Sequence, residues 1–371
     1  MSDLFIGLMS GTSLDGVDGI LADFSQGRMR VLQHCSAPLP APLRTELLAL
    51  NTPSDNELHR AALAGNGLVR VYVEVVTNLL RNSQTPSSSV CAIGAHGQTV
   101  RHRPREFDGT GYTLQLNQPA LLAELCGIDV VADFRNRDVA AGGQGAPLVP
   151  PFHQAFFGQD GRPLAVLNIG GISNITVLNP AADSPVVGFD CGPGNALMDG
   201  WCLAHTGQAF DDTGRWAAGG QVHATLLARL LDEAFFAKAP PKSTGRDLFN
   251  AAWLSNCLSD VPGVSPQDVQ ATLTELTARS CAEALRGTAL QCDTLVVCGG
   301  GAFNAHLMGR LAHYLPGCSV ESSDAWGLPP LQVEASAFAW LARQTCLRQT
   351  GSLPKVTGAK GARILGAIYP A

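Results

Sequence analysis

The chain has 371 residues, 46% hydrophobic and 15% charged, the balance of a compact globular protein and not of a disordered one. A formal net charge of -6, with no Lys/Arg cluster beyond Arg101–Arg105 and the Arg135/Arg137 pair, excludes the basic stripe that nucleic-acid or anionic-membrane binding favours. Eleven scattered cysteines without a Cys-x-x-Cys pair argue against a zinc site and a disulfide framework, and they suit a cytoplasmic location.

Met1–Gly7 lacks a basic leader and breaks at once into a turn, so it reads as a strand start and not a signal peptide. No run approaches the ~20 apolar residues of a membrane span. Phe5–Phe24 places a Gly/Ser/Thr/Asp turn between two apolar runs, the pattern of strand, turn, strand. Met29–Ser36 reads as a third strand, and residues 43–80 carry helical spacing through Leu63, Leu68, Val69, Val73, Val76, Leu79 and Leu80. After the polar stretch 82–89, Val90–His96 is a strand, 101–111 an insertion-like loop, 112–116 a short strand, 119–126 a helix and 128–133 a strand. Antiparallel strands followed by alternating helix and strand predict a mixed sheet with helices packed on it.

The second half restarts this order. Leu164–Leu178 repeats the glycine hairpin, Val186–Asp190 is a strand, and helices are expected at 195–205, 221–237 and 266–286. Leu295–Cys298 is a buried-type strand that runs through Gly299, Gly300 and Gly301 into a helix at 304–314, and a last helix covers 331–347. The repetition reads as an internal duplication with a boundary near residue 135.

Small residues in a turn let backbone N–H groups approach an anion closely, and hydroxyl and amide side chains add donors. The hairpins, with Asn168, Gly170, Gly171 and Asn174 in the second, can therefore hold a polyphosphate between them, although either alone reads first as a tight turn. The glycine-opened helix start at Gly299–Asn304 suits a nucleotide phosphate or ribose.

Six segments together resemble the anhydro-N-acetylmuramic acid kinases, bacterial cell-wall recycling enzymes of the actin, hexokinase and heat-shock ATPase superfamily. They are Gly7–Asp18, Ala95–Thr99, Val131–Pro147, Gly188–Asn195, Lys242–Arg246 and Val297–Asn304. The resemblance implies an α/β, two-lobed actin/hexokinase-like ATPase fold, each lobe a mixed sheet flanked by helices, with ATP in the interdomain cleft and the sugar deeper. The first lobe would comprise 1–135 with the C-terminal helix and tail from about 334 to 371, and the second 136–333. Magnesium is expected on the ATP phosphates and water, with no protein ligand assigned. The sugar is the expected partner, and association into a homodimer is left open.

The implied reaction uses ATP and water to turn 1,6-anhydro-N-acetylmuramic acid into N-acetylmuramic acid 6-phosphate. Because O6 is tied to C1, there is no hydroxyl for an ordinary kinase base to deprotonate, and water must attack C1 while O6 captures the γ-phosphoryl group. Carried over by position, Asp190 is the base and Glu334 assists; Gly11, Thr12, Ser13, Leu14, Asp15, Gly16, Val17 and Asp18 form the first phosphate loop. Asn168, Gly170, Gly171, Asn174, Gly299, Gly300, Gly301 and Asn304 complete the nucleotide set, and His96, Arg135, Arg137 and Asp138 the sugar set. By themselves these residues have other readings: Asp190 as a helix cap, Glu334 as a first-turn acid favoured by the helix dipole, Arg135, Arg137 and Asp138 as an ion-pair cluster, and His96 as a core histidine. An arginine at 137 would match the lactyl carboxylate of a muramic sugar in a bidentate fork. Lys242–Arg246 lacks the glycine lead of a P-loop and stays a loop of unassigned role. A kinase for an ordinary sugar hydroxyl and a non-enzymatic actin-like switch are the alternatives.

Overall fold

The computed structural model describes residues 3–11, 14–181, 186–240, 242–246, 248–288 and 292–371. In chain order its strands are β1 (Leu4–Ser10), β2 (Gly16–Asp23), β3 (Arg30–Pro38), β4 (Val90–Ala95), β5 (Gln98–Pro104), β6 (Gly111–Leu116), β7 (Val130–Ala132), β8 (Leu164–Ile169), β9 (Ile172–Leu178), β10 (Val186–Pro193), β11 (Thr294–Cys298), β12 (Ser319–Ser322) and β13 (Ala367–Tyr369). They fall into two compact units, Met1–Phe156 with Gln332–Ala371, and Phe157–Leu331.

The first unit holds a six-stranded sheet in the order β13-β7-β4-β1-β2-β3, and β5 and β6 make a separate hairpin. The second holds a five-stranded sheet in the order β10-β9-β8-β11-β12. Connectivity repeats between them. In each, a hairpin extends into an antiparallel trio, and the first strand of that trio takes a parallel neighbour on its other side, β4 beside β1 and β11 beside β8. Both sheets are mixed and carry helices, the expected α/β architecture.

Packing in the first unit is closest where Gly7 of β1 pairs with Gly94 of β4. A Cβ on Gly7 would fall 1.9 Å from the carbonyl oxygen of Ala335, and one on Gly94 2.1 Å from that of Phe338. The helix Val333–Cys346 therefore lies with its backbone directly on the two strands, which only glycine permits. Its alanines, buried at 335, 337, 339 and 342, complete this thin interface and seat Glu334 in the first turn. In the second unit the helix Pro266–Arg286 plays the central part, burying Leu273, Leu276, Cys281 and Leu285 in one core with β8, β9, β10 and β11.

Several expected elements take a different form. The helical stretch 43–80 is two helices, Ala41–Ala49 and Glu57–Ser83, separated around Pro53, with Asn56 in the left-handed region at φ 56°. The stretch 221–237 is likewise divided into Ala224–Leu231 and Ala234–Ala237. The insertion-like loop at 101–111 contains much of β5 and the turn that joins it to β6. The first unit also runs past residue 135 to Phe156. It does so because 136–145 is tied to the C-terminal tail: Gln144 N–H donates to Thr357 O at 2.8 Å and Lys360 N–H to Ala141 O at 2.9 Å. Among the described residues no helix is long and apolar enough to cross a membrane.

Candidate active site

In the second unit, strand register aligns the polar candidates. Asp190 of β10 lies opposite Asn174 of β9, and Asn174 opposite Asn168 of β8. Directly opposed residues share a face of the sheet, so the three form one polar row across three strands. Beside it, Gly170 and Gly171 make the hairpin turn. The Gly170 carbonyl accepts Asn195 N–H at 2.7 Å, and that of Gly171 accepts Gly194 N–H at 3.0 Å and Ala196 N–H at 3.2 Å. A Cβ at Gly194 would fall 2.3 Å from Gly170 O, so this clamp of turn on helix start depends on glycine.

The third glycine element closes against the same strand end. Gly299 has φ 77°, and a Cβ there would lie 2.4 Å from Asn168 Oδ1. The chain does not pass straight into a helix, as expected, but makes a 3-10 turn over Gly300–Phe303 before the helix Ala305–Tyr314. Asn304 caps that helix, its Oδ1 accepting Leu307 N–H at 2.9 Å. Its side-chain oxygen thus already accepts one hydrogen bond within the protein.

Asp190 is half-buried and does not end its strand as expected: β10 continues to Pro193 with a register shift between Asp190 and Gly192, and Asp190 Oδ2 accepts Thr244 N–H at 2.9 Å. Its own N–H donates to Lys242 O at 3.1 Å. The next helix starts only at Asn195, after Gly194, with no side-chain cap bond, so Asp190 is not a helix cap. Lys242 turns away from the row: its ammonium donates to Phe235 O at 3.4 Å and Phe236 O at 3.2 Å and sits 4.7 Å above the Phe235 ring. Burial lowers its pKa. The segment left without a role in the sequence is therefore the one that orients Asp190, and Thr244 is a positioning residue missing from the expected set.

In the first unit, Thr12 and Ser13 lie outside the described residues. Gly11 ends β1's side of the turn and its carbonyl accepts Leu14 N–H at 3.2 Å. Leu14 and Val17 are 4% and 0% exposed, so their side chains belong to the core and only their backbone can face a ligand. Asp15 is exposed, 3.9 Å from Arg44, while Asp18 Oδ1 lies 3.3 Å from His34 Nε2. Gly16 is required by packing, since a Cβ would lie 2.6 Å from Ala37 O.

His96 and Arg135 meet. Arg135 donates to His96 Nε2 from Nε at 3.1 Å and from Nη2 at 3.0 Å, and its Nη1 donates to Gly145 O at 2.7 Å. Burial first, and the arginine charge second, hold the His96 imidazole well below its usual pKa. Glu334 is half-buried; burial raises its carboxyl, Arg135 lowers it and Asp18 raises it further. Arg135 thus links His96 to Glu334 electrostatically.

Asp138, expected at the sugar, is instead structural. It is 0% exposed, with Oδ2 accepting Gly145 N–H at 2.8 Å and Oδ1 accepting Thr357 Oγ1–H at 2.8 Å. Arg137, on the short helix Asn136–Ala140, is exposed and makes no ion pair among the described residues.

A family model described as anhydro-N-acetylmuramic acid kinase matches residues 3–371. A protein of that name from Variovorax paradoxus (strain S110) is 67% identical over 373 residues, covering 100% of this chain and 99% of its own. One from Albidiferax ferrireducens is 66% identical over 389 residues, covering 100% of both. Among solved structures, a ROK family glucokinase from Streptomyces griseus in complex with glucose and AMPPNP is similar at 14% identity and TM-score 0.42, covering 92% of this chain and 99% of that one.

Proposed function

The chain belongs to the anhydro-N-acetylmuramic acid kinase family, and from that premise we propose that it opens 1,6-anhydro-N-acetylmuramic acid with water and phosphorylates O6 from ATP, in cytoplasmic recycling of cell-wall sugars. The observation that carries this reading is the placing of Asp190: a half-buried carboxylate beside the register shift in β10, oriented by the Thr244 amide and serving no helix cap. A general base needs that kind of fixed, partly accessible position.

Asp190 takes the proton of water as the water oxygen bonds to C1. The C1–O6 bond breaks, O6 bonds to the γ-phosphorus, and the bond from that phosphorus to the bridging oxygen breaks to release ADP. The Gly170–Gly171 turn and Gly299–Gly301 contribute backbone to the phosphates, as does the Gly11–Asp18 turn. Arg137, exposed and without an ion pair among the described residues, takes the lactyl carboxylate. His96, kept neutral, offers hydrogen bonding without a charge, and Glu334 assists at the reacting water. Among the described residues no group of three His, Cys, Asp or Glu is gathered to hold a metal. Magnesium that arrives on nucleotide phosphates needs only one or two protein carboxylates, and in the first unit Asp18, its side chain 39% exposed, is the donor that would serve. Its contribution when bound is to neutralise phosphate charge.

Two assays test the reading. ADP release should depend on the anhydro sugar and be absent with ordinary N-acetylmuramic acid. In oxygen-18 water the label should appear at the anomeric hydroxyl of the product. Label on phosphorus would mean that water attacks ATP and would overturn the mechanism.

A further inference from the structure

The Gly170–Gly171 turn has an arginine lying across it. A Cβ built on Gly171 would fall 3.2 Å from Arg246 Nη2 and 3.5 Å from its Nε. The side chain is exposed, and among the described residues its guanidinium makes no ion pair and donates no hydrogen bond. This sets it apart within its unit. Arg162, Arg215, Arg229, Arg279 and Arg310 each have a carboxylate partner, and Arg286 donates to the carbonyl of Tyr314.

The backbone of Arg246 is anchored while its head is not. Its carbonyl accepts Asn250 Nδ2–H at 3.2 Å, and the preceding Gly245 carbonyl accepts Leu248 N–H at 3.2 Å and Phe249 N–H at 3.1 Å. Thr244, two residues earlier, holds Asp190. One short segment thus fixes the carboxylate and carries a cation over the neighbouring glycine turn.

We infer that Arg246 binds the phosphoryl group that leaves the nucleotide, holding its oxygens over Gly171. This rests on the kinase reading above. A guanidinium fork matches two phosphate oxygens, and a fixed cation at transferring phosphoryl oxygens acts where charge develops. Arg246 neither gives nor takes a proton: O6 bonds to phosphorus, the bond to the bridging oxygen breaks, and the electron pair leaves on ADP. The role also accounts for glycine at 171, since a side chain there would occupy the space between turn and guanidinium.

The test compares the parent protein with Arg246→Ala and Arg246→Lys, using calorimetric binding of AMPPNP and of ADP together with turnover. Arg246→Ala should weaken AMPPNP by about tenfold, the scale of one charge-assisted hydrogen bond, and leave ADP within about twofold. It should lower kcat by roughly 100- to 1,000-fold, the usual loss for one such donor. Arg246→Lys should recover part of both, and added guanidinium ion should restore turnover in the alanine variant. Equal AMPPNP affinity in parent and alanine variant overturns the inference. So does a loss of turnover that guanidinium does not restore and that comes with a lowered melting temperature, which would make Arg246 structural. Inactivity of the parent with the anhydro sugar would sink the kinase reading separately, because the AMPPNP-to-ADP comparison needs no sugar.

Discussion

Arg135 donates from two nitrogens to the one nitrogen Nε2 of His96, at 3.1 and 3.0 Å. A nitrogen that accepts in this way carries no proton, so the imidazole is neutral with its hydrogen on Nδ1. His96 should give the nitrogen-15 signature of that tautomer at pH 6 and below. Arg135→Gln should raise the His96 pKa only part of the way to its usual value, because burial is the larger cause. The same substitution should raise the Glu334 carboxyl further, since Arg135 opposes the burial that lifts it. A charged His96 at pH 6 in the parent protein would contradict the arrangement.

Asp190→Asn keeps an oxygen for the Thr244 amide and leaves no helix uncapped, so the melting temperature should stay within a degree or two of the parent, roughly the noise of a neutral substitution. Turnover should fall by roughly 100- to 10,000-fold, the contribution of a positioned base. Activity within a few-fold of the parent would remove Asp190 from the mechanism.

Arg137→Ala should raise the Michaelis constant for the sugar and leave that for ATP nearly unchanged. Losing a charge-assisted contact to a buried partner costs ~2–5 kcal/mol. The opposite pattern, with the ATP constant rising alone, would move Arg137 to the phosphates.

Two glycine-to-alanine substitutions should have opposite signs. At Gly94 the new Cβ meets the Phe338 carbonyl at 2.1 Å, backbone that cannot move aside, and urea melts should show a loss of at least about 3 kcal/mol. Gly200, inside the helix Asn195–Thr206, has nothing within 4 Å of an added Cβ. Alanine there should stabilise by about 0.5–1 kcal/mol through helix propensity and a less flexible unfolded chain.

His153 is buried in the helix Pro150–Phe157, and burial pushes its pKa down to about 3. Below its unfolded value of 6.5 the unfolded chain binds a proton that the folded one refuses, so stability is present above that pH and is lost as pH falls toward 3. Between pH 7 and pH 5 this amounts to about 2 kcal/mol. His153→Leu should flatten that part of the pH–stability curve, whatever its effect on the absolute level; an unchanged slope would show that His153 is not its source.

The hairpins β1–β2 and β8–β9 were legible because each apolar run ends at a local turn signal. Asp190 was legible as a strand residue but not as an interior one, since the apolar run stops there while β10 continues through Cys191 and Gly192 to Pro193. The break between the helices Ala41–Ala49 and Glu57–Ser83 was not, because apolar spacing resumes in phase with a helix on both sides of Pro53. The burial of Asp138 was not legible, because its partner Thr357 lies 219 residues away. The part played by Thr244 was hidden for a similar reason, as its amide meets a carboxylate 54 residues earlier. A backbone donor leaves no mark in side-chain pattern.

The seating of Val333–Cys346 on Gly7 and Gly94 also bears on the order in which the protein is built. A ribosome delivers β1 and β4 early and the helix that covers them only after all of Phe157–Leu331 has been made. Domains tend to fold as units as they emerge, and the second unit, unbroken in sequence, can finish first. The first must wait with the apolar face of its sheet uncovered until the last forty or so residues appear, the stage at which chain aggregation competes with folding. Residues 332–371 are thus the latch of the first unit, and truncating them would leave the nascent protein dependent on chaperones through a core that never closes.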